Sequence, residues 1–401
     1  MSKKAKKDLE VQGLTNLIID ATLGVTDVVE AMHKKIVHPP FLPSTPIQNL
    51  ITSIATITYK NIRWSTLFVG KNLHKILGQL TPTIGNLKTS DKKEIILSAL
   101  NGVIGDYLED QENPLKIEMQ FRFQSKALKV CSEDLKATYS NINGKILLMI
   151  HGSCMSDIQW TRKNHNHEKI LSKELEKTPV YLHYNSGKHI SANGQNLNTS
   201  LEELLKNWPV PVEELIIIAH SMGGLIARSA IYYGQQEQKN WTNLLKKVVF
   251  LGTPHHGSQI EKAGNYLDII LETVPYTKPL ARLGKIRSAG VTDLRYGNLV
   301  DEDWQNNDRF ELKRDQRQNI QLPKEIEFYS IAAIIGEKKS SASSKILGDN
   351  LVDVKSALGQ HKNPDKNLSF KEENTWIAYE NNHLDLLSNP KITAKLKKWL
   401  L

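Results

Sequence analysis

The sequence is nearly without cysteine: Cys131 and Cys154 are the two thiols in 401 residues. That number cannot build a disulfide framework, and neither residue sits in a C-x-x-C or metal-type spacing. Reduced thiols in a cytoplasmic setting are the expectation. Long apolar runs are missing too, since no stretch approaches the roughly 18 residues of a membrane span. The opening MSKKAKKDLE is basic but is followed by no apolar segment of the signal-peptide kind, so no cleaved signal is expected. Also lacking is any basic stripe with interleaved aromatics. The formal net charge is +9, but the lysines are scattered, which excludes nucleic acid as an expected partner.

What is present is a chain that is 40% hydrophobic and 24% charged, long enough to bury a substantial core. Between residues 13 and 80 apolar residues recur mostly at helical spacing, broken at HPPFLP (38–43). KKEIILSALNGVIGDYLE continues that pattern. The period then changes: in IEMQFRF, Ile117, Met119, Phe121 and Phe123 alternate with polar residues, as in a half-buried strand. Short buried-strand patterns follow at KILLMI, PVYLHY, ELIIIA, KVVFLG and IEFYSIAAI. In SLEELLKNW, Ser200 and Glu203 have capping-box spacing, which predicts a helix starting there. SGKHISANGQNLNTS and EKKSSASSK read as polar loops. Strand and helix in alternation predict an α/β fold with a mostly parallel sheet covered on both faces. The expected organisation is a helical N-terminal region (1–115) and one α/β domain (116–401).

One stretch carries a chemical signal. LIIIAHSMGGLIARS (215–229) passes from a buried strand through a tight turn into a helix, with Ser221 at the turn, Ala219 two before it and Gly223 two after. Small neighbours are what a strained strand-to-helix elbow needs to lift a hydroxyl above a sheet edge. The bland alternative is an ordinary serine N-cap. A catalytic serine needs a base, an acid to orient it, and donors for the oxyanion. HGSCMSD directly follows KILLMI, so the backbone N–H groups of Ser153 and Met222 are the expected oxyanion hole, each donor worth roughly 3 kcal/mol. A metal pair of His151 and Cys154 is disfavoured because no companion ligands follow at usable spacing, and neither metal nor cofactor is expected. His383 in NNHLDLL is the expected base, in competition with His220, His255 and His256. Asp349 in ILGDNLVDVKSALG is the expected acid, with Asp353 as runner-up.

Together, HGSCMSD, AHSMGG, LGTPHHGS, GDNLVDVKSALG and NNHLD resemble, in order, the motifs of lipase-type α/β-hydrolases, in particular bacterial proteins similar to GPI inositol-deacylases and triacylglycerol lipases. The resemblance spans about residues 145–389. It implies an α/β-hydrolase fold with the triad Ser221, Asp349 and His383, and it favours Asp349 over Asp353. Two departures stand out: Ala219 replaces the elbow glycine, and Asn350 replaces the glycine after the acid. Asp385 falls where some secreted lipases bind calcium, without a convincing acidic partner, so no calcium is expected.

The segment 261–303 is an insertion whose apolar clusters suit a helical cap or lid over an acyl pocket. The expected activity is hydrolysis of carboxylic esters, lipid or acyl esters among them. Acyl transfer or thioester hydrolysis with the same triad, and a non-catalytic scaffold on the same fold, are the alternatives. KITAKLKKWLL places Ile392, Leu396, Trp399 and Leu400 on one helical face, which either docks on the core or makes peripheral contact with an anionic membrane.

Overall fold

The structure is a computed structural model that describes residues 91–262, 265–274, 277, 287–305, 309, 315–337 and 348–401. The helical patterns at 13–80, and all of the serine-rich loop at 337–345 except Glu337, lie outside the described residues. An eight-stranded sheet runs in the order β2-β1-β4-β3-β5-β6-β7-β8. Its strands are β1 (Gln120–Phe123), β2 (Lys126–Ala127), β3 (Lys145–Ile150), β4 (Thr178–His183), β5 (Glu214–His220), β6 (Leu245–Leu251), β7 (Glu327–Ile334) and β8 (Thr375–Tyr379). From β4 through β8 every pairing is parallel, and the β1–β2 hairpin adds an antiparallel edge.

Both faces of the central strands are buried, which is why they read as continuous apolar runs. In β3, Ile146, Leu148 and Ile150 point to one core while Leu147 and Met149 point to the other. In β5, Leu215, Ile217 and Ala219 part from Ile216 and Ile218 in the same way. Each such side chain contributes roughly 1.5–3 kcal/mol by leaving water. The larger core is covered by α1 (Asp91–Asp110), α3 (Ile190–Lys206), α4 (Met222–Gln236) and two helices of the 261–303 insertion, α5 (Tyr266–Thr273) and α6 (Ala289–Asp293). The smaller core is covered by α2 (His167–Glu174) and α7 (Pro390–Leu400).

Two expectations change. The helix expected to begin near Ser200 begins at Ile190, inside the segment read as a polar loop. Its asparagines and glycine serve tertiary contacts that outweigh local propensity. Asn193 donates to Asn185 O, Asn198 accepts from the Trp241 indole, and a Cβ on Gly194 would meet Ser229 Oγ at 2.1 Å, so α3 and α4 touch closely there. Strand β8, TWIAY, carries no alternation strong enough to have been read as a strand. The C-terminal face settles on the protein: Ile392, Leu396, Trp399 and Leu400 are buried in the smaller core, so this face is not available to a membrane.

Helix α1, within the 1–115 region, packs into the same core as the sheet. Asn101 fastens it: its amide donates to Leu97 O and Leu115 O, and its carbonyl accepts from Ile117 N. The insertion is tied to α1 in turn, through Ser288 Oγ to Gly102 O and Ala289 N to Asp106.

Candidate active site

In an open parallel sheet, loops that converge at the C-terminal strand ends form the natural crevice for a ligand. Ser221 stands at the end of β5 with φ +54 and ψ −125, a left-handed backbone that an L-residue adopts at a cost of order 1–3 kcal/mol. Surrounding contacts enforce it. Ser221 N donates to Leu251 O, and a Cβ at Gly223 would lie 2.4 Å from His151 O. At Gly224 a Cβ would lie 2.0 Å from Thr253 Oγ1. Ala219, by contrast, is an ordinary fully buried strand residue, so the departure from glycine is accommodated.

Asp349 follows β7, and His383 follows β8. The His383 Nδ1–H donates to Asp349 Oδ2 at 2.6 Å, while Asp349 Oδ1 accepts from Leu351 N and Val352 N. Three donors therefore hold the carboxylate, and the carboxylate fixes the imidazole tautomer so that Nε2 is the free basic nitrogen. Asn350 has φ +77, which explains why glycine is usual there; asparagine tolerates this region better than most residues. Gly252, at φ +62, leaves the room that the ring of His383 fills. Asp353 stands instead at the start of the short helix Val354–Ala357 and is only half-buried.

The turn after β3 lies against the elbow: a Cβ on Gly152 would come within 3.1 Å of Ser221 Cβ. Ser153 and Met222 have backbone N–H groups with no acceptor among the described residues. Cys154, at φ +60, uses its own N–H on Ser186 Oγ, which holds the turn in shape.

Two contacts were not legible in the sequence. Ser221 Oγ lies 3.4 Å from the hydroxyl of Tyr266 on α5, and His383 Nε2 is buried without a hydrogen-bond partner among the described residues. Exposure of Ser221, Asp349 and His383 is 1%, 1% and 2%, so all three are buried, with Tyr266 of α5 beside the serine. His220, next to the serine, sends its Nε2–H to the main-chain oxygen of His383 at 3.1 Å. Burial, reinforced by the neighbouring His383, holds His220 well below the ordinary histidine value and so keeps it neutral.

The competing histidines are engaged elsewhere. His255 and His256 face Arg228 and Arg317, and His151 stacks on Tyr184 with ring centroids 4.2 Å apart. Asp385 accepts from Lys163 and from Asn382 N. Among the described residues no group of acidic, histidine and cysteine side chains forms a metal cluster.

The parallel sheet, the elbow and the Asp349–His383 loop order define an α/β-hydrolase fold. In agreement, residues 141–324 match the family model described as PGAP1-like alpha/beta domain. Among curated proteins none matches the chain. Solved structures similar to it include the mature lipase BlEst2 of Bacillus licheniformis, at 17% identity over 65% of this chain and 94% of that one, with a TM-score of 0.43. Lipase B of Aspergillus fumigatus is 11% identical over 96% and 85%, with a TM-score of 0.42. Phospholipase PlaB of Legionella pneumophila is 13% identical over 53% and 45%, with a TM-score of 0.35.

Proposed function

We propose that the protein hydrolyses carboxylic esters, lipid or acyl esters in particular, through an acyl-enzyme on Ser221. The observation that carries this reading is the buried 2.6 Å bond between His383 and Asp349, formed at the same sheet edge as a serine held at φ +54. His383 Nε2 takes the Ser221 proton as Oγ attacks the acyl carbonyl, and Asp349 stabilises the imidazolium. The Ser153 and Met222 N–H groups receive the oxyanion. Collapse of the tetrahedral intermediate transfers the proton from His383 to the leaving alcohol; His383 then activates a water that releases the acid. The lipid-like character of the substrate is supported by the apolar helix α5, whose Leu267, Ile270 and Leu271 are buried beside Tyr266, and by the similarity to lipases. Location in the cytoplasm fits the two free thiols.

The test is hydrolysis of p-nitrophenyl esters of graded chain length by the purified protein and its Ser221→Ala variant. The expected result is turnover that rises with acyl length and falls roughly 10⁴-fold or more in the variant. Equal rates for both proteins would remove Ser221 from the chemistry, and release of acyl products only to added alcohol or from thioesters would reassign the reaction class.

A further inference from the structure

Helix α4 carries a cation that the ester chemistry does not use. Arg228, two turns beyond Ser221, is 5% exposed. One of its terminal nitrogens donates to Ile320 O at 2.8 Å and the other to His255 Nδ1 at 3.4 Å, while its Nε–H is buried with no acceptor among the described residues. No ion pair among the described residues includes it. Of the nearby carboxylates, Asp315 receives Arg317 and Lys366, while Asp303 accepts the N–H groups of Leu299, Val300 and Gln318 and reaches Arg228 through its charge without touching it. Because Arg228 donates to Nδ1 of His255, the neutral ring carries its proton on Nε2, a second buried donor without a partner. Burial and the nearby Arg317 push Arg228 down to about 9, which leaves it charged at neutral pH.

Arg228, His255, His256, Arg317 and Lys366 line one cavity, which opens at the exposed Gln318 and Asn319. It has space for about one water-sized sphere, 10 Å³. A water would satisfy a donor there but leave the guanidinium without a counter-ion in contact; a buried charge is costly unless it is paired. Phosphate or a carboxylate ligand is far larger than this space, whereas chloride, only somewhat wider than water, needs a small shift of the exposed Gln318 and Asn319 at the mouth. We propose that this cavity binds a single monatomic anion, chloride in the cell, on Arg228, with Arg317 and Lys366 adding to the positive field. The site is independent of the ester reaction, so its failure and that of the proposed activity are separate results.

The experiment uses the whole protein in chloride-free buffer. Thermal midpoints are measured in chloride against gluconate at equal ionic strength, and crystals are soaked in bromide for anomalous scattering. Expected are a bromide peak beside the Arg228 guanidinium and a midpoint that climbs with chloride, by roughly 5 °C at a hundredfold excess over Kd. The chloride effect is expected to vanish in Arg228→Met and to need several-fold more salt in Lys366→Gln. Identical midpoints in chloride and gluconate overturn the proposal, whether or not bromide binds, since a peak alone would then be an adventitious ion only. A chloride effect that survives in Arg228→Met places the anion elsewhere and overturns it as well. Should Arg228→Met fail to fold, the wild-type protein and Lys366→Gln decide.

Discussion

The hydroxyl of Tyr266 lies 3.4 Å from Ser221 Oγ, in a site where His383 Nε2 has no hydrogen-bond partner. The serine hydroxyl is thus paired with the phenol of α5, either oxygen being able to donate, rather than with the proposed base. At this distance between neutral groups the contact is worth about 1 kcal/mol at most. Replacing Tyr266 by Phe is therefore predicted to speed fluorophosphonate labelling of Ser221 up to fivefold. A tenfold loss of labelling would mean instead that the phenol assists the reaction.

His220 is predicted to act as a positioning residue. Its Nε2–H supports the carbonyl of His383, the residue whose ring must meet both Asp349 and Ser221. His220→Leu removes that donor and leaves a buried carbonyl unpaired, at about 1–3 kcal/mol. We expect kcat to fall about tenfold or more with KM little changed, and His220→Gln, whose amide nitrogen can approach the place of Nε2, to recover part of the loss. Loss of stability in His220→Leu with kcat intact would make the contact purely structural.

The proposed triad was legible because each member follows a buried strand in a recognisable loop, and the sheet brings Ser221, Asp349 and His383 to one edge although 162 positions separate the first from the last. Burial of β3 and β5 on both faces was equally legible as apolar runs. What the sequence concealed depends on contacts across the fold. Tyr266 looks like any aromatic on an amphipathic helix until α5 is laid over Ser221. Ser200 and Glu203 have the spacing of a helix start, yet the contacts of Gly194 and Asn198 with α4 and Trp241 extend α3 ten residues upstream. Arg228 has the look of a solvent-facing helical position, and only the packing of the loops around His255 and Ile320 buries it.

Gly102 on α1 is predicted to be needed for the turn that carries the proposed oxyanion donor Ser153. A Cβ there would sit 2.3 Å from Cys154 Sγ and 2.8 Å from its Cα. Alanine gains about 1 kcal/mol of helix propensity over glycine, but overpacking against backbone costs about 1–3 kcal/mol. The clash wins, and it falls on the residue after Ser153. Gly102→Ala should lower both the thermal midpoint and kcat, whereas a variant more stable than the parent and equally active would show that the turn does not lean on α1.

Acid is predicted to unfold the protein through its buried histidines. Burial holds His151, His220 and His255 well below their ordinary 6.5, and His167 and His256 at about 4 and about 3. A histidine whose folded pKa is depressed takes up its proton more readily in the unfolded chain. Its contribution is therefore complete above pH 6.5 and is lost as pH falls towards the folded value. Each costs up to about 1.4 kcal/mol per pH unit in that window, so that several together reach, within about two units, the roughly 5–15 kcal/mol that a domain has to lose. Glu94, held at about 2 by its bonds to His183 and Arg122 despite burial, adds its own loss only at still lower pH, below 4.5. Urea midpoints should accordingly be level from pH 8 to 7 and drop steeply below 6.5, with His167→Gln flattening the slope. Midpoints that stay level down to pH 5 would show that these rings are hydrated or already charged in the folded protein.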